Sequence, residues 1–318
     1  MDSSLEGNRT EALNRRVILI AGPTASGKSA LALDLAKKLN GVIVNADSMQ
    51  LYRELRLVSA RPSAEEEADV PHRLYGILPA SQAFSTGAWL RLVGTEIASA
   101  EERGQMPILV GGTGLYFKAL TEGFAEMPEI PEEIRRQARD LADRQGVEGL
   151  RQELTRLGDK TAAEALSDPQ RLARALEVLM ATGKSLAHWQ KAHQAPPLLR
   201  PEECCRIVLA PPRPWLHERI AQRAELMLAE AGQAEVRSLL EKDLSDKLPA
   251  MRAIGVAEIG AFLAGEADYS ETLHRLTVAT RQYAKRQETW FRNQMGGWQR
   301  VDPSAGINLE NWQGIFSG

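Results

Sequence analysis

Residues 17–29 read Val-Ile-Leu-Ile-Ala-Gly-Pro-Thr-Ala-Ser-Gly-Lys-Ser, and they decide the fold of the first part of the chain. The apolar run Val17–Ala21 precedes the pattern G-x-x-x-x-G-K-S, and a helical stretch follows at Ser29–Leu39. This order of strand, glycine-rich loop and helix is the context in which the pattern forms a phosphate-binding P-loop. Gly22 and Gly27 can adopt backbone angles that other residues avoid, so the loop can wrap an anion.

The P-loop predicts a phosphorylated ligand. Backbone N–H groups, the helix N-terminus and the Lys28 ammonium would bind a di- or triphosphate, and the Ser29 hydroxyl would contact Mg²⁺. The predicted binding residues are Gly22, Pro23, Thr24, Ala25, Ser26, Gly27, Lys28 and Ser29. The pattern alone does not say which reaction the ligand undergoes.

Strand and helix signals alternate in the first third of the chain. Further strands are predicted at Val42–Asn45 and Ile108–Val110, and a helix at Ala88–Glu102. This alternation favours an α/β fold with a P-loop-containing parallel sheet flanked by helices. Because ligands bind at the carboxyl ends of such strands, the P-loop, Asp47 and residues 111–114 should converge on one edge.

Strand signals disappear between about residues 127 and 194, where five helical stretches are predicted. A strand returns at Arg206–Ala210, and long helices are predicted at Arg213–Leu240 and Thr272–Asn293. We therefore expect a P-loop α/β core made of residues 1–126 and 195–318. Residues 127–194 would form a helical insertion domain.

The composition is that of an ordinary globular protein. The chain has 318 residues, of which 43% are hydrophobic and 25% charged, and a net charge of −3. Neither a membrane span nor a signal peptide is evident, and Cys204 and Cys205 are adjacent, which fits a reducing compartment. We expect a cytoplasmic monomer without a membrane segment. Any nucleic-acid surface would need basic residues concentrated on one face.

An acidic residue is missing where many P-loop enzymes carry one. The predicted strand at Ile108–Val110 ends in Gly-Gly-Thr-Gly, without an aspartate that could hold Mg²⁺. The acid that follows a strand is Asp47 instead. Asp47 could be a general base beside a leaving phosphate, or it could only cap the local turn.

Basic residues form three clusters in this acidic chain. Arg171 and Arg174 share a helix face, as do Arg219 and Arg223, and the third cluster lies on the predicted C-terminal helix among aromatic residues. Such faces suit phosphate contacts and base stacking in RNA, although solvated helix surfaces look the same in a sequence.

The motifs in their order resemble the bacterial tRNA dimethylallyltransferase family over nearly the whole chain, from about residue 16 to residue 301. The matching segments are GPTASGKS at 22–29, NADSMQLYR at 45–53, VPHRL at 70–74, LVGGTGLYF at 109–117, DPQRLARALEV at 168–178, RIAQR at 219–223 and ATRQYAKRQETW at 279–290. The resemblance implies transfer of a dimethylallyl group from dimethylallyl diphosphate to the exocyclic amine of an adenosine in tRNA, 3′-adjacent to the anticodon.

The resemblance also implies roles for residues. Asp47 would be the general base, and Lys28 and Arg219 would stabilise the leaving diphosphate. Thr113 would lie at the mouth of the channel that the flipped adenine enters. The tRNA anticodon stem-loop would contact Asp47, Ser48, Met49, Gln50, Thr113, Arg135, Gln170, Arg171, Leu172, Ala173, Arg174, Arg252, Arg281, Lys285 and Arg286.

One segment departs from the family pattern. Where the family usually has Gly-Met-Asp-Ile-Gly-Thr-Ala-Lys-Pro, residues 54–62 read Glu-Leu-Arg-Leu-Val-Ser-Ala-Arg-Pro. Val58 replaces a glycine, which leaves open the local backbone and any ligand contact made by Ser59 or Arg61.

Three other functions remain open at this point. A small-molecule kinase would share the P-loop, but the missing acid and the basic helices argue against it. An enzyme that prenylates free AMP or ATP would not need the helical insertion. An RNA-binding protein with a vestigial loop would not need Lys28, Ser29 and Asp47 together.

Overall fold

The computed structural model describes residues 16–125, 127–192 and 195–306. The chain divides into two compact units. Unit 1 consists of the residues up to 121 and from 198 onward, and unit 2 of residues 122–197. The segment expected as a helical insertion, 127–194, lies inside unit 2.

Unit 1 is built on a six-stranded sheet. The strands are β1 Val17–Ala21, β2 Gly41–Asn45, β3 His72–Arg73, β4 Met106–Gly111, β5 Cys204–Leu209 and β6 Gln299–Val301. Their order is β3-β2-β4-β1-β5-β6, and every neighbouring pair is parallel, which confirms the predicted fold class. The edge strands β3 and β6 were not predicted, because two or three residues are too few for a periodic pattern.

Helices flank the sheet and make up unit 2. In chain order they are α1 Lys28–Leu39, α2 Ala64–Asp69, α3 Thr86–Glu102, α4 Gly114–Glu122, α5 Glu132–Arg156, α6 Lys160–Ala165, α7 Pro169–Thr182, α8 Leu186–Ala192, α9 Arg213–Leu228, α10 Glu230–Leu240, α11 Val256–Leu263 and α12 Tyr269–Gln294. Among the helices of these described residues, none is both long enough and apolar enough to cross a membrane.

Alternate residues of the strands point to opposite faces of the sheet, and both faces are covered. One face packs against α3 and α12 through Leu19, Leu109, Trp89 and Phe291. The other packs against α1 through Ile18, Ile108, Leu31 and Leu35. Burial on both sides explains why the strands read as continuous apolar runs in the sequence.

The single helix predicted over Arg213–Leu240 is wrong. The chain leaves the helical conformation at Ala229, whose ψ is 163°, and α10 begins at the next residue. Leu228 before the break and Val236 after it are both buried in the core of unit 1. A change of direction lets both helices bury their apolar faces there.

Unit 2 has a hydrophobic core of its own. Its buried residues come from α5, α6 and α7 and are Ala138, Leu150, Leu154, Ala163, Leu172, Ala175, Leu176 and Leu179. The helix α5 is kinked at Gly146, where φ is 62° and ψ is −155°. The sequence predicts two separate helices here, Pro131–Gln145 and Val147–Leu157, and the kink lies between them.

Candidate active site

Three loops meet at the carboxyl edge of the sheet because β2, β4 and β1 are adjacent and parallel. Asp47 follows β2, the turn from Gly111 at the end of β4 to Gly114 at the start of α4 is the second loop, and the P-loop follows β1. The first two loops touch: a Cβ built on Gly111 would lie 2.0 Å from the carbonyl oxygen of Ala46. Glycine is therefore required at this position by the close approach of two backbones.

The two P-loop glycines serve different purposes. Gly27 has a φ of 87° and needs the conformational freedom of glycine, and Ala25 adopts a left-handed φ of 62°. Gly22, in contrast, does not have a positive φ, so the expectation of an unusual backbone there is wrong. A Cβ on Gly22 would lie 2.9 Å from Ser26 Oγ and 3.1 Å from Leu209 Cβ, so lack of space selects glycine.

Lys28 is folded back onto the loop. Its Nζ donates a hydrogen bond of 2.7 Å to the Pro23 carbonyl oxygen. Burial lowers the pKa of Lys28 to about 8; the Asp47 charge opposes this shift and the Arg223 charge adds to it. An anion bound in the loop would favour the charged ammonium and raise this pKa again.

The helix α9 contributes two arginines, and they differ in position. Arg219 is exposed; its Nε donates to the Ala25 carbonyl oxygen at 2.9 Å, and its guanidinium lies 4.8 Å from the Trp215 ring centroid. Arg223 lies deeper, and its Nη1 donates to Thr24 Oγ1 at 2.7 Å.

Arg223 is the arginine that is electrostatically coupled to the site. Burial lowers its pKa, and the charge of Asp47 opposes that shift. Its Nη2 donates to the Val58 carbonyl oxygen at 3.0 Å, and its buried Nε has no acceptor among the described residues. Sequence reasoning assigned a role only to Arg219, although the i,i+4 spacing already placed Arg223 on the same helix face.

Hydrogen bonds fix the backbone of Asp47 and one of its carboxylate oxygens, and within the described part of the chain the other oxygen is free. Oδ1 accepts from the Met49 N–H at 3.0 Å, as in a simple turn. Buried Asn45 accepts from the Asp47 N–H at 2.8 Å and donates to the Asp47 carbonyl oxygen at 2.9 Å. Oδ2 has no hydrogen-bond donor among the described residues. Asp47 therefore caps the turn and also presents an acceptor, and Asn45 is a positioning residue that sequence reasoning missed.

Three tyrosines lie within electrostatic range of the Asp47 carboxylate. The pKa values of Tyr75, Tyr116 and Tyr283 are all raised, first by burial and then by the negative charge of Asp47. Tyr116 also stacks on Trp89 with ring centroids 4.2 Å apart.

Buried Gln287 of α12 bridges two of the three loops. Its Oε1 accepts from the Thr24 N–H at 2.8 Å, and its Nε2 donates to the Gly112 carbonyl oxygen at 3.0 Å. A Cβ on Gly112 would lie 2.2 Å from this Nε2 and 3.0 Å from Asp47 Oδ2. Sequence reasoning missed Gln287, because an isolated glutamine in a helix carries no signal of such a contact.

The predicted RNA-contacting residues of unit 1 are placed differently from one another. Thr113 Oγ1 accepts from the Ser48 N–H at 3.0 Å, so these two residues of the site lie together. The Gln50 amide donates to the carbonyl oxygens of Ser59 and Ala60 and thereby braces a neighbouring loop. Met49 is partly buried. The exposed basic residues of this set are Arg252, Arg281, Lys285 and Arg286.

In unit 2 the predicted RNA-contacting segment is divided between surface and core. Gln170 and Arg171 are exposed at the start of α7. Leu172 is completely buried in the core of unit 2 and Ala173 packs against that core, so direct RNA contact by the Leu172 side chain is contradicted. Two further residues form ion pairs: Arg174 with Glu177 at 3.0 Å and Arg135 with Glu132 at 3.8 Å.

The segment that departs from the family pattern has a defined structure. Val58 is buried without a positive φ, whereas Ala60 adopts a φ of 53°. The Arg61 guanidinium points into the protein, where Nη1 donates to the carbonyl oxygens of Tyr52 and Arg53 at 3.3 Å. The Arg61 guanidinium fits there because residue 76 is a glycine: a Cβ on Gly76 would lie 2.3 Å from Arg61 Nη1. Arg61 therefore supports this loop.

Among the described residues, no group of three or more His, Cys, Asp or Glu side chains could hold a metal ion alone. Ser29 at the start of α1 is exposed, and its hydroxyl has no hydrogen-bond partner in the described part of the chain. A single hydroxyl fits Mg²⁺, which usually takes its other ligands from substrate phosphates and water.

Comparisons with known proteins agree on the family. The IPP transferase family model matches residues 50–294. A tRNA dimethylallyltransferase from Rhizobium johnstonii is 51% identical over 287 residues, which are 89% of this chain and 96% of that protein. A second, from Agrobacterium fabrum, is 49% identical over 293 residues, 91% of this chain and 98% of the relative.

Solved structures agree as well. The tRNA isopentenylpyrophosphate transferase from Bacillus halodurans is 32% identical, with a TM-score of 0.67 over 95% of this chain and 94% of that one. A eukaryotic dimethylallyltransferase acting on tRNA is 26% identical, with a TM-score of 0.73 over 94% of this chain and 75% of that one. The chain therefore belongs to the IPP transferase family, whose members include the tRNA dimethylallyltransferases.

Proposed function

We propose that this chain transfers a dimethylallyl group from dimethylallyl diphosphate to the exocyclic amine of the adenosine next to the anticodon of tRNA. Family membership makes the chain a tRNA-modifying prenyltransferase. The observation that carries the detailed proposal is geometric: the free Oδ2 of Asp47 lies at the same edge of the sheet as the P-loop, on which Lys28 and Arg223 are held by their hydrogen bonds to Pro23 and Thr24.

The proposed reaction assigns a task to each side of this site. The carbon–oxygen bond of the diphosphate ester breaks, and the oxygen leaves with the electron pair. A bond forms between that carbon and the adenine nitrogen, whose proton passes to Asp47 Oδ2. Lys28, Arg223 and the P-loop amides stabilise the charge that grows on the leaving diphosphate, while the carboxylate makes a weak nucleophile stronger.

Two further groups support the leaving diphosphate. Arg219 lies at the exposed side of the P-loop and would contact the outer phosphate oxygens. Mg²⁺ held by Ser29, the diphosphate and water would supply additional positive charge there. The loop backbone from Ala25 to Gly27 would face the phosphates as well, whereas the Thr24 N–H is already donated to Gln287.

The proposed tRNA surface lies on α12 in unit 1 and on α7 in unit 2. A groove of about 480 Å³ follows one face of α12 and is lined by Gln282, Lys285, Arg286, Thr289, Trp290, Asn293 and Gln294. Basic side chains beside an aromatic ring suit a single-stranded RNA loop. On α7, exposed Gln170 and Arg171 would contact the anticodon stem-loop.

The target base must leave the stack to reach Asp47. A monomeric state and a cytoplasmic location stay predictions.

Labelled dimethylallyl diphosphate offered separately with unmodified tRNA, AMP and ATP tests the proposal. We expect label in tRNA, in a ribonuclease fragment that contains the anticodon loop, and none in the free nucleotides. Transfer only to AMP or ATP would support the mononucleotide enzyme instead. Phosphate transfer from ATP to a small molecule, with no prenyl transfer, would support the kinase.

A further inference from the structure

Glu235 lies outside the site described above, yet it holds a loop that contacts that site. It belongs to α10, and its carboxylate accepts two consecutive backbone N–H groups. Oε2 accepts from Leu57 at 2.7 Å and Oε1 accepts from Val58 at 3.0 Å. Hydrogen bonds to an ionised carboxylate are shorter and stronger than those between neutral groups. One side chain therefore fastens both residues of this loop to α10.

The same loop then holds Arg223. The Val58 carbonyl oxygen accepts from Arg223 Nη2 at 3.0 Å, and Nη1 of the same guanidinium reaches Thr24 Oγ1 in the P-loop. Because the guanidinium is planar and rigid, two acceptors on its two terminal nitrogens define its orientation. The contacts run without a break from Glu235 through Val58 and Arg223 to Thr24.

We propose that Glu235 is a positioning residue for prenyl transfer, which acts on the diphosphate through the Leu57–Val58 backbone and Arg223. This inference rests on the proposed function, since it assumes that Arg223 faces a diphosphate. Glu235 does not bind the substrate.

The indirect arrangement has an electrostatic advantage over an ion pair. Both acceptors that Arg223 contacts are neutral, a carbonyl oxygen and a hydroxyl oxygen. The carboxylate is bonded to backbone amides instead, so the guanidinium is oriented while its positive charge stays available for an anion. Its buried Nε, which lacks an acceptor among the described residues, can donate to that anion.

Packing keeps the loop from compensating by a shift. Val58 is buried, and a Cβ on Gly255 would lie 3.1 Å from Val58 Cγ1. Gly255 itself has a φ of 107°, which favours glycine. Val58, which stands where the family usually has glycine, therefore occupies the space that a side chain at Gly255 would need. Loss of the Glu235 carboxylate should leave this packing intact and release only the two amides.

A double-mutant cycle on Glu235 and Arg223 tests the inference, with the affinity for inorganic diphosphate and Mg²⁺ as the readout. We expect Glu235→Gln to weaken diphosphate binding about tenfold, because an amide can serve only one of the two N–H groups. In an Arg223→Gln background the same change should have almost no further effect. Glu235→Asp, whose carboxylate is retracted by one methylene, should fall between the parent and Glu235→Gln.

The matched control is Glu241→Gln, which makes the same charge change at an exposed position beside the end of α10. It should bind diphosphate like the parent. Equal losses for Glu235→Gln in both backgrounds would overturn the inference, and so would unchanged binding in Glu235→Gln. Circular dichroism and the Tm identify any variant that fails to fold, and Arg223→Lys then replaces Arg223→Gln as the background.

The proposed function is tested separately by the parent chain. If the parent binds diphosphate but does not prenylate tRNA, the proposed function fails, while the cycle still measures the coupling of Glu235 to Arg223. If the parent prenylates tRNA but the two substitutions act independently, the inference fails and the proposed function stands.

Discussion

At the scale of single residues, the two carboxylate oxygens of Asp47 are placed differently. Oδ1 caps the Met49 N–H, and Oδ2 is free of donors in the described part of the chain. Asp47→Asn keeps an acceptor for the Met49 N–H but removes the proposed base. We expect turnover to fall by about a hundredfold or more, which is the range of general base catalysis. The affinity for dimethylallyl diphosphate should change little.

Single-turnover kinetics with saturating tRNA and calorimetry with the diphosphate measure these two effects. Asp34→Asn on the exposed side of α1 is the control for the loss of one negative charge. If Asp47→Asn keeps the turnover of the parent, Asp47 is not the base.

The lowered pKa of Lys28 predicts that diphosphate binding is coupled to proton uptake. The pKa of Lys28 in the free protein is about 8, below its usual value, because burial disfavours the ammonium. A bound diphosphate favours the ammonium and raises that pKa again. Between about pH 8 and pH 10, binding should therefore take up protons, and below about pH 7 the uptake by Lys28 should vanish.

Calorimetric titration with dimethylallyl diphosphate, in the absence of tRNA and in two buffers of different ionisation enthalpy, counts these protons. Lys28→Arg should bind dimethylallyl diphosphate without proton uptake in both pH ranges, because arginine stays protonated. Uptake that is equal in Lys28→Arg and in the parent would assign the protons to another group.

At the scale of elements, the loop after β4 depends on the absence of side chains. A Cβ on Gly112 would meet the Gln287 amide at the flexible end of its side chain. We therefore expect Gly112→Ala to fold but to break the bridge between this loop and the P-loop. Turnover should fall at least about tenfold, with a Tm lower by a few degrees.

Thermal unfolding and steady-state kinetics compare this variant with Gly296→Ala, where an added Cβ would meet nothing within 4 Å. Equal activity of the two alanine variants would mean that the Gln287 bridge does not matter for catalysis.

At the scale of the whole molecule, unit 2 can be tested as an insertion. It has a core of its own, and its chain ends approach each other, since Ala195 N donates to Phe124 O at 3.3 Å. A short Gly-Ser linker in place of residues 125–194 should therefore leave unit 1 folded. We expect diphosphate affinity within about threefold of the parent and tRNA affinity at least about tenfold weaker.

Calorimetry and filter binding at a fixed salt concentration measure the two affinities. A milder variant, Arg171→Ala, should also weaken tRNA binding and reduce its dependence on salt. Unchanged tRNA binding in the linker variant would contradict a role of unit 2 in tRNA binding.

The sequence alone determined the parallel α/β fold and the family, and it predicted the P-loop, because all three depend on local patterns. The apolar strand, the glycine spacing and the start of the helix all lie within about 25 residues of sequence. The carboxyl ends of the strands in a parallel sheet lie at the same edge. Asp47 and Lys28 could be named for that reason. The break at Ala229 could not, since it follows from where α9 and α10 bury their side chains.

Only the tertiary structure decided which side chains complete the site. Gln287 reaches Thr24 across 263 residues of sequence and Glu235 reaches Val58 across 177, and no local pattern encodes such contacts. Arg219 and Arg223 look equivalent in the helix that carries them, and burial beside Asp47 and Lys28 distinguishes Arg223. The resemblance placed Leu172 in an RNA-contacting segment, but packing buries its side chain in the core of unit 2. Burial and long-range hydrogen bonds are properties of the folded chain, and they determine the detailed chemistry of the site.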